Sequence, residues 1–120
     1  MKAVEIKKTG GPEVLELKDI KLADPSNGEV LIKQVAIGLN YIDTYHRSGL
    51  YPVPLPSGIG LEGAGIIEKV GSDTDGFKVG DKVCYAAAPI GSYATHRIYP
   101  TKSLVKVPDE IDLEIVAAIM

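Results

Sequence analysis

Glycine and proline interrupt this chain so often that its apolar residues can only be buried in short, alternating segments. Residues 2–7 alternate, with Val4 and Ile6 on one face and Glu5 and Lys7 on the other, the period of a half-buried strand. Gly10-Gly11-Pro12 turns the chain. Residues 14–22 read as a second strand with Leu15 and Leu17 inward, shifting phase near Asp19 so that Ile20 and Leu22 take over the apolar face, as a bulge would allow. After the turn at Pro25-Ser26-Asn27-Gly28, residues 30–39 form a long segment with apolar residues on both faces, which predicts a central strand. Further strands are expected over residues 66–70, 93–99 and 103–107, and one into which residues 79–83 turn and which runs through Tyr85, with a polar loop at 71–76 and a short connection at 86–91. Strands at this spacing, with little helical signal, predict a mainly β fold closed or nearly closed into a barrel.

A chain of 120 residues suffices for one domain with its own core. The apolar runs are shorter than the about 18 residues of a membrane span, and the N-terminus lacks an apolar signal core, so a cytoplasmic protein is expected. The net charge of -3, with both signs interspersed, argues against a dedicated nucleic-acid binder. The single cysteine, Cys84, can form neither an internal disulfide nor a cysteine-rich zinc site, and is expected to be a small buried hydrophobe.

The C-terminus changes period. Asp112 can cap a helix whose apolar positions Leu113, Val116, Ala117 and Met120 follow a helical spacing. The apolar run has no capping exit, which leads to the expectation that residues 1–120 are the first domain of a larger protein.

The chemistry-bearing residues gather between Gly38 and Gly65. Gly58, Gly60 and Gly63 match the G-x-G-x-x-G pattern of dinucleotide-binding turns, but that turn must follow a strand and open a helix. Here Pro52, Pro54 and Pro56 precede it and a β-branched run follows, so these glycines are expected to serve close backbone packing. Asn40 and Asp43 read as a capping pair starting a short helix that Gly49 ends. On it Tyr41 and Tyr45 share one face, with Ile42 and His46 on the neighbouring one. A tyrosine facing a cleft can hydrogen-bond a carbonyl oxygen as it gains negative charge; packing with its hydroxyl satisfied is the plainer alternative for Tyr45. His46 and His96 lack partners at metal-ligand spacing and are expected at the surface or behind a site. Glu62, in an apolar and glycine-rich setting, needs a partner; a structural ion pair and a site role are both open.

Taken together, residues 10–15 (GGPEVL), 40–45 (NYIDTY), 47–52 (RSGLYP), 60–65 (GLEGAG), 79–83 (VGDKV) and 91–94 (GSYA) resemble the N-terminal domain of quinone oxidoreductases. These are the zinc-free, zeta-crystallin-like branch of the medium-chain dehydrogenase/reductase superfamily, related to the alcohol dehydrogenases. The resemblance runs through the whole chain and implies a GroES-like (chaperonin-10-like) β-barrel. It also implies a following Rossmann domain, not included in these residues, that binds most of the NADPH, so the 120 residues alone should not turn over substrate.

Zinc-dependent relatives hold a cysteine ligand where this chain has Asn40 and a histidine ligand where it has Leu61, beside Glu62. They also carry a four-cysteine lobe, for which residues 86–91 leave no room. The resemblance therefore implies no metal. It implies that Asn40, Tyr41, Ile42 and Asp43 line the nicotinamide side of the cleft and that Tyr45 and Tyr51 are the catalytic-side residues facing a quinone or conjugated carbonyl. A homodimeric full-length protein is expected. The alternatives are a zinc-free NADPH-dependent reductase of activated alkenes and a non-enzymatic RNA-binding or structural module.

Overall fold

A computed structural model describes residues 1–119. Within them lie eight strands and two α-helices: β1 Lys2–Ile6, β2 Glu16–Asp19, β3 Glu29–Gly38, α1 Tyr41–Ser48, β4 Ser57–Gly58, β5 Glu62–Val70, β6 Lys82–Tyr85, β7 His96–Pro100, β8 Val105–Lys106 and α2 Leu113–Ile119. All strand pairs are antiparallel, in one sheet of order β2-β1-β4 and another of order β7-β3-β5-β6-β8. No helix among the described residues is long and apolar enough to cross a membrane.

The long apolar segment occupies the expected place: β3 pairs with β7 on one side and β5 on the other. It has two irregularities, between Leu31 and Ile32 and between Gln34 and Ala36. Residues 91–95 join the two sheets. Tyr93 N–H donates to Ile59 O (2.9 Å), Val4 N–H to Tyr93 O (2.8 Å), Thr95 N–H to Lys2 O (2.8 Å) and Gln34 N–H to Thr95 O (2.9 Å). The polar backbone of this segment is thus paired in both directions, as burial requires.

The core divides into three clusters. Val30, Ile32, Ile67, Val83, Tyr85, Tyr99 and Leu104 fill the five-stranded sheet's inner face. Ala64, Cys84 and Val107 pack under α2 through Leu113, Val116 and Ala117. Ile6, Val14 and Ile59 form the third, with Tyr93 against it. Cys84 is buried as expected, and burial pushes its thiol pKa up. The Asp112 carboxylate accepts from Glu114 N–H (3.1 Å) at the start of α2. Met120, expected as the last apolar position of this helix, lies outside the described residues.

Several local expectations change. Leu15 and Leu17 are exposed, Leu17 at 69%, and Val14 in the 3-10 turn Pro12–Val14 is the buried residue instead. Leu15 precedes β2, every residue of β2 is exposed, so no element covers Leu17, and the register with β1 runs without the expected shift to Asp19, where the strand ends. β5 starts at Glu62, so Gly63 and Gly65 are strand residues; β7 starts only at His96; and residues 103–107 divide into a 3-10 turn, Thr101–Ser103, and the two-residue β8.

Candidate functional site

The candidate residues converge where β3 ends and α1 begins. Asn40 is the N-cap of α1, and Asp43 reaches back so that its Oδ2 accepts from Asn40 N–H at 3.1 Å. Gly49, at φ 91°, ends the helix in the left-handed conformation that glycine adopts without strain, and its N–H donates to Tyr45 O. Arg47 ties the helix to the turn at Gly10, donating from Nε to Gly10 O (3.2 Å) while its own carbonyl accepts from Gly10 N–H (3.0 Å). The capping pair and both helix ends therefore fall as the residue types indicate.

Around Asn40 the side chains form one connected set. Its amide Nδ2 donates to Glu62 Oε2 at 3.1 Å across the β3–β5 pair. Glu62 is buried, and its carboxylate fills the space a side chain at Gly38 would need, since a Cβ there would lie 2.2 Å from Glu62 Oε1. Of the two readings left open for Glu62, the ion pair is not formed among the described residues; a neutral amide donates to the carboxylate instead. Asp43 is 3% exposed and its Oδ2 also accepts from the Tyr93 hydroxyl at 2.7 Å. Burial, then acceptance by Asp43, holds the Tyr93 hydroxyl well above the usual tyrosine pKa. Asp43 Oδ1 is buried with no hydrogen-bond partner.

Tyr45 is half-buried and its ring meets Tyr51 edge-on at 5.3 Å between centroids. That T-shaped geometry is a favoured aromatic contact. Tyr51 is exposed, and neither hydroxyl is bonded to another described residue. Tyr41 is 83% exposed and Ile42 half-buried on the same helix. Thus Asn40, Asp43 and Glu62 come together, Tyr45 and Tyr51 come together one turn further on, and Tyr41 stands apart in solvent. His46, expected at the surface or behind a site, takes the second place: it is buried beside Tyr51 with a centroid distance of 6.3 Å, and its Nδ1 lacks a partner. It falls on the inner face of α1 because it lies three residues after the buried Asp43. Sequence reasoning missed Tyr93, which lies 50 positions from Asp43; the nearest signal was its place in the 91–94 motif.

Two surface concavities flank the site. The larger, about 690 Å³, lies between β1, β3 and residues 93–96, with Leu17, Val35 and Ile37 among its lining residues. The smaller, about 360 Å³, opens beside Asn40 and Glu62 and is lined on the α2 side by Glu114, Ala117 and Ala118. Its convergent polar groups make the smaller one the better candidate for chemistry, whatever its size.

The glycine pattern has the structural role expected of it. A Cβ at Gly63 would lie 2.3 Å from Gln34 Oε1 and 2.6 Å from Tyr85 Oη, and one at Gly60 would lie 2.2 Å from Ser92 Oγ. The strand after it, β5, leaves no helix N-terminus at this turn for a phosphate.

Comparison with known proteins agrees with this architecture. Residues 26–109 match the family model described as the alcohol dehydrogenase GroES-like domain. The quinone oxidoreductase of Pseudomonas aeruginosa is 52% identical over 120 residues, covering 99% of this chain and 37% of that protein. The 2-haloacrylate reductase of a Burkholderia species is 40% identical over 117 residues, covering 93% of this chain and 35% of its own. The crystal structure of Escherichia coli quinone oxidoreductase complexed with NADPH superimposes with a TM-score of 0.97 at 44% identity, covering 100% of this chain and 37% of that one. The chain therefore spans little more than a third of the length of these relatives. With its mainly β fold, its capped α1 and this match over most of its length, the chain belongs to the alcohol dehydrogenase GroES-like domain family.

Proposed function

We propose that this chain is the N-terminal, substrate-side domain of an NADPH-dependent quinone oxidoreductase that passes reducing equivalents to quinones without zinc. The observation that carries the reading is the start of α1: the Asn40 amide engages Glu62, beside the half-buried Tyr45 and its edge-on neighbour Tyr51. The relatives named above support it, one of them solved with NADPH. By the resemblance, Asn40 and Leu61 stand where zinc-dependent members hold ligands, and an amide bonded to a carboxylate with an aliphatic neighbour is a poor zinc donor set. A cytoplasmic homodimer is part of the same proposal for the whole protein.

The residues at hand fit the nicotinamide end of NADPH. The concavity beside Asn40, about 360 Å³, is too small for a whole dinucleotide but falls at the lower end of ligand clefts, about 300–1,000 Å³. Of Asn40, Tyr41, Ile42 and Asp43, Asn40 lines this concavity and, with Glu62, would hold that end; Tyr41 and Ile42 follow it on α1, Asp43 is buried against Tyr93, and the remainder of the cofactor would be bound by a second domain. Bound there, NADPH supplies a hydride. Asn40, fixed by Glu62, sets the position of the ring against the substrate. Tyr45 directs its hydroxyl at the substrate oxygen and stabilises negative charge as it develops there. Tyr51 walls the substrate with its ring and excludes water.

The test is a hybrid in which residues 1–120 replace the matched segment of the Pseudomonas aeruginosa protein, assayed for NADPH oxidation with a soluble benzoquinone. Tyr45→Phe is expected to lower kcat by about tenfold with NADPH affinity nearly unchanged. Unchanged turnover would remove Tyr45 from the mechanism, and a hybrid that binds NADPH but reduces no quinone would sink the proposal. The second reading, reduction of activated alkenes, is favoured by the similarity to 2-haloacrylate reductase. Preference of the hybrid for a 2-haloacrylate over the benzoquinone would establish it.

A further inference from the structure

Tyr93 lies outside the candidate site, yet it is the only residue that ties the sheet-joining segment to the buried face of α1 through a side-chain hydrogen bond among the described residues. Its backbone is held on both sides, by Ile59 and by Val4. Its ring is seated against Ile6, Val14 and Ile59 and over Gly60, where a Cβ would lie 2.5 Å from the ring. The hydroxyl therefore has a fixed position. It meets Asp43 Oδ2 at 2.7 Å, the oxygen that also accepts from Asn40 N–H at 3.1 Å.

Asp43 Oδ1 has no partner, so two donors alone orient this buried carboxylate. One of them is the backbone of the N-cap residue whose side chain reaches Glu62. A chain of contacts thus leads from a rigidly seated tyrosine, through Asp43, to the Asn40 backbone and its amide. Buried polar groups linked in this way act as a unit.

We propose that Tyr93 is a positioning residue for the α1 site, acting through Asp43 to fix Asn40 and the direction in which α1 leaves β3. The proposal rests on the reading of Asn40 and Tyr45 as site residues. Tyr93 touches neither substrate nor cofactor in it. Its removal shifts the groups that do, and a misplacement of about 1 Å can cost about a hundredfold in rate.

Tyr93→Phe keeps the ring and removes only the hydroxyl. In the hybrid enzyme it is expected to lower kcat by about tenfold or more while the quinone KM stays within about twofold. In the 120-residue chain, amide hydrogen exchange at Asn40 should speed up by about tenfold, with exchange at Ile32 and Ile67 in the central strands unchanged. Loss confined to kcat together with faster Asn40 exchange supports the inference. Unchanged kcat in an active hybrid, or Asn40 exchange that rises only in step with the central strands, overturns it, the latter marking a purely structural role. If the unsubstituted hybrid reduces no quinone, the functional reading fails, and Asn40 exchange in the chain still decides whether Tyr93 positions this turn.

Discussion

Gly63→Ala separates a glycine needed for packing from one needed for a phosphate. The added methyl would sit 2.3 Å from Gln34 Oε1 and 2.6 Å from Tyr85 Oη, and the two atoms it displaces are hydrogen-bonded to each other. Neither can retreat: Tyr85 is fully buried and stacked on Tyr99, and Gln34 Nε2 donates to Ser92 O and Ala94 O at 2.6 and 3.0 Å. Losing the buried Tyr85–Gln34 bond costs about 1–3 kcal/mol. Overpacking adds about 1–3 kcal/mol. Replacing a strand glycine by alanine returns about 0.5–1 kcal/mol. The net is about 3 kcal/mol, which lowers the melting temperature by about 10 °C for a domain of this size.

The control is Gly76→Ala, where no atom lies within 4 Å and only the φ of +89° is strained. That strain costs about 1 kcal/mol. Thermal melts of the three chains by circular dichroism at neutral pH provide the assay. A Gly63→Ala chain melting within about 2 °C of the parent would refute the packing argument.

Two further predictions concern titratable groups. Burial raises the pKa of Tyr85, Tyr93 and Tyr99 above the unfolded value of about 10, so their stabilising contribution is complete below about pH 10 and is lost as pH rises from there through the higher folded values. Melting temperature should fall steeply above about pH 10, while Tyr93→Phe flattens the fall; equal slopes would contradict the assignment. Cys84, with its thiol pKa raised by burial, should resist iodoacetamide at about pH 8 in the folded chain and react once it is unfolded in guanidinium; labelling of the native chain at the free-thiol rate would place it at the surface.

Features set by neighbours along the chain were legible in the sequence. The apolar faces of residues 30–39 announced β3, the Asn40–Asp43 pair and Gly49 bracketed α1, and Asp112 opened α2. Leu17 misled because alternation reports a strand without saying which face the rest of the chain will cover; β2 lies at an edge and its leucine stays outside. Glu62 was legible as a carboxylate in want of a partner, but the partner was not, because the Asn40 amide arrives from 22 positions away. Tyr93 was obscured for the same reason: its contact with Asp43 joins segments 50 positions apart, which no local period encodes.

The segment that joins the two sheets also sets when this domain can fold. Lys2 and Thr95 bond to each other although 93 positions separate them, so the start of the first strand lacks a neighbour opposite β2 until nearly the whole domain has been made, while its end can already pair with β4. At about 5–20 residues per second, translation leaves that strand waiting on the order of 5–20 s. Pairing with β2 and β4 can begin early, but the cluster of Ile6, Val14 and Ile59 lacks the Tyr93 ring against it until residues 91–95 arrive. Nascent chains stalled before residue 91 should therefore be more in need of a chaperone than chains released past α2, whose Leu113, Val116 and Ala117 complete the core.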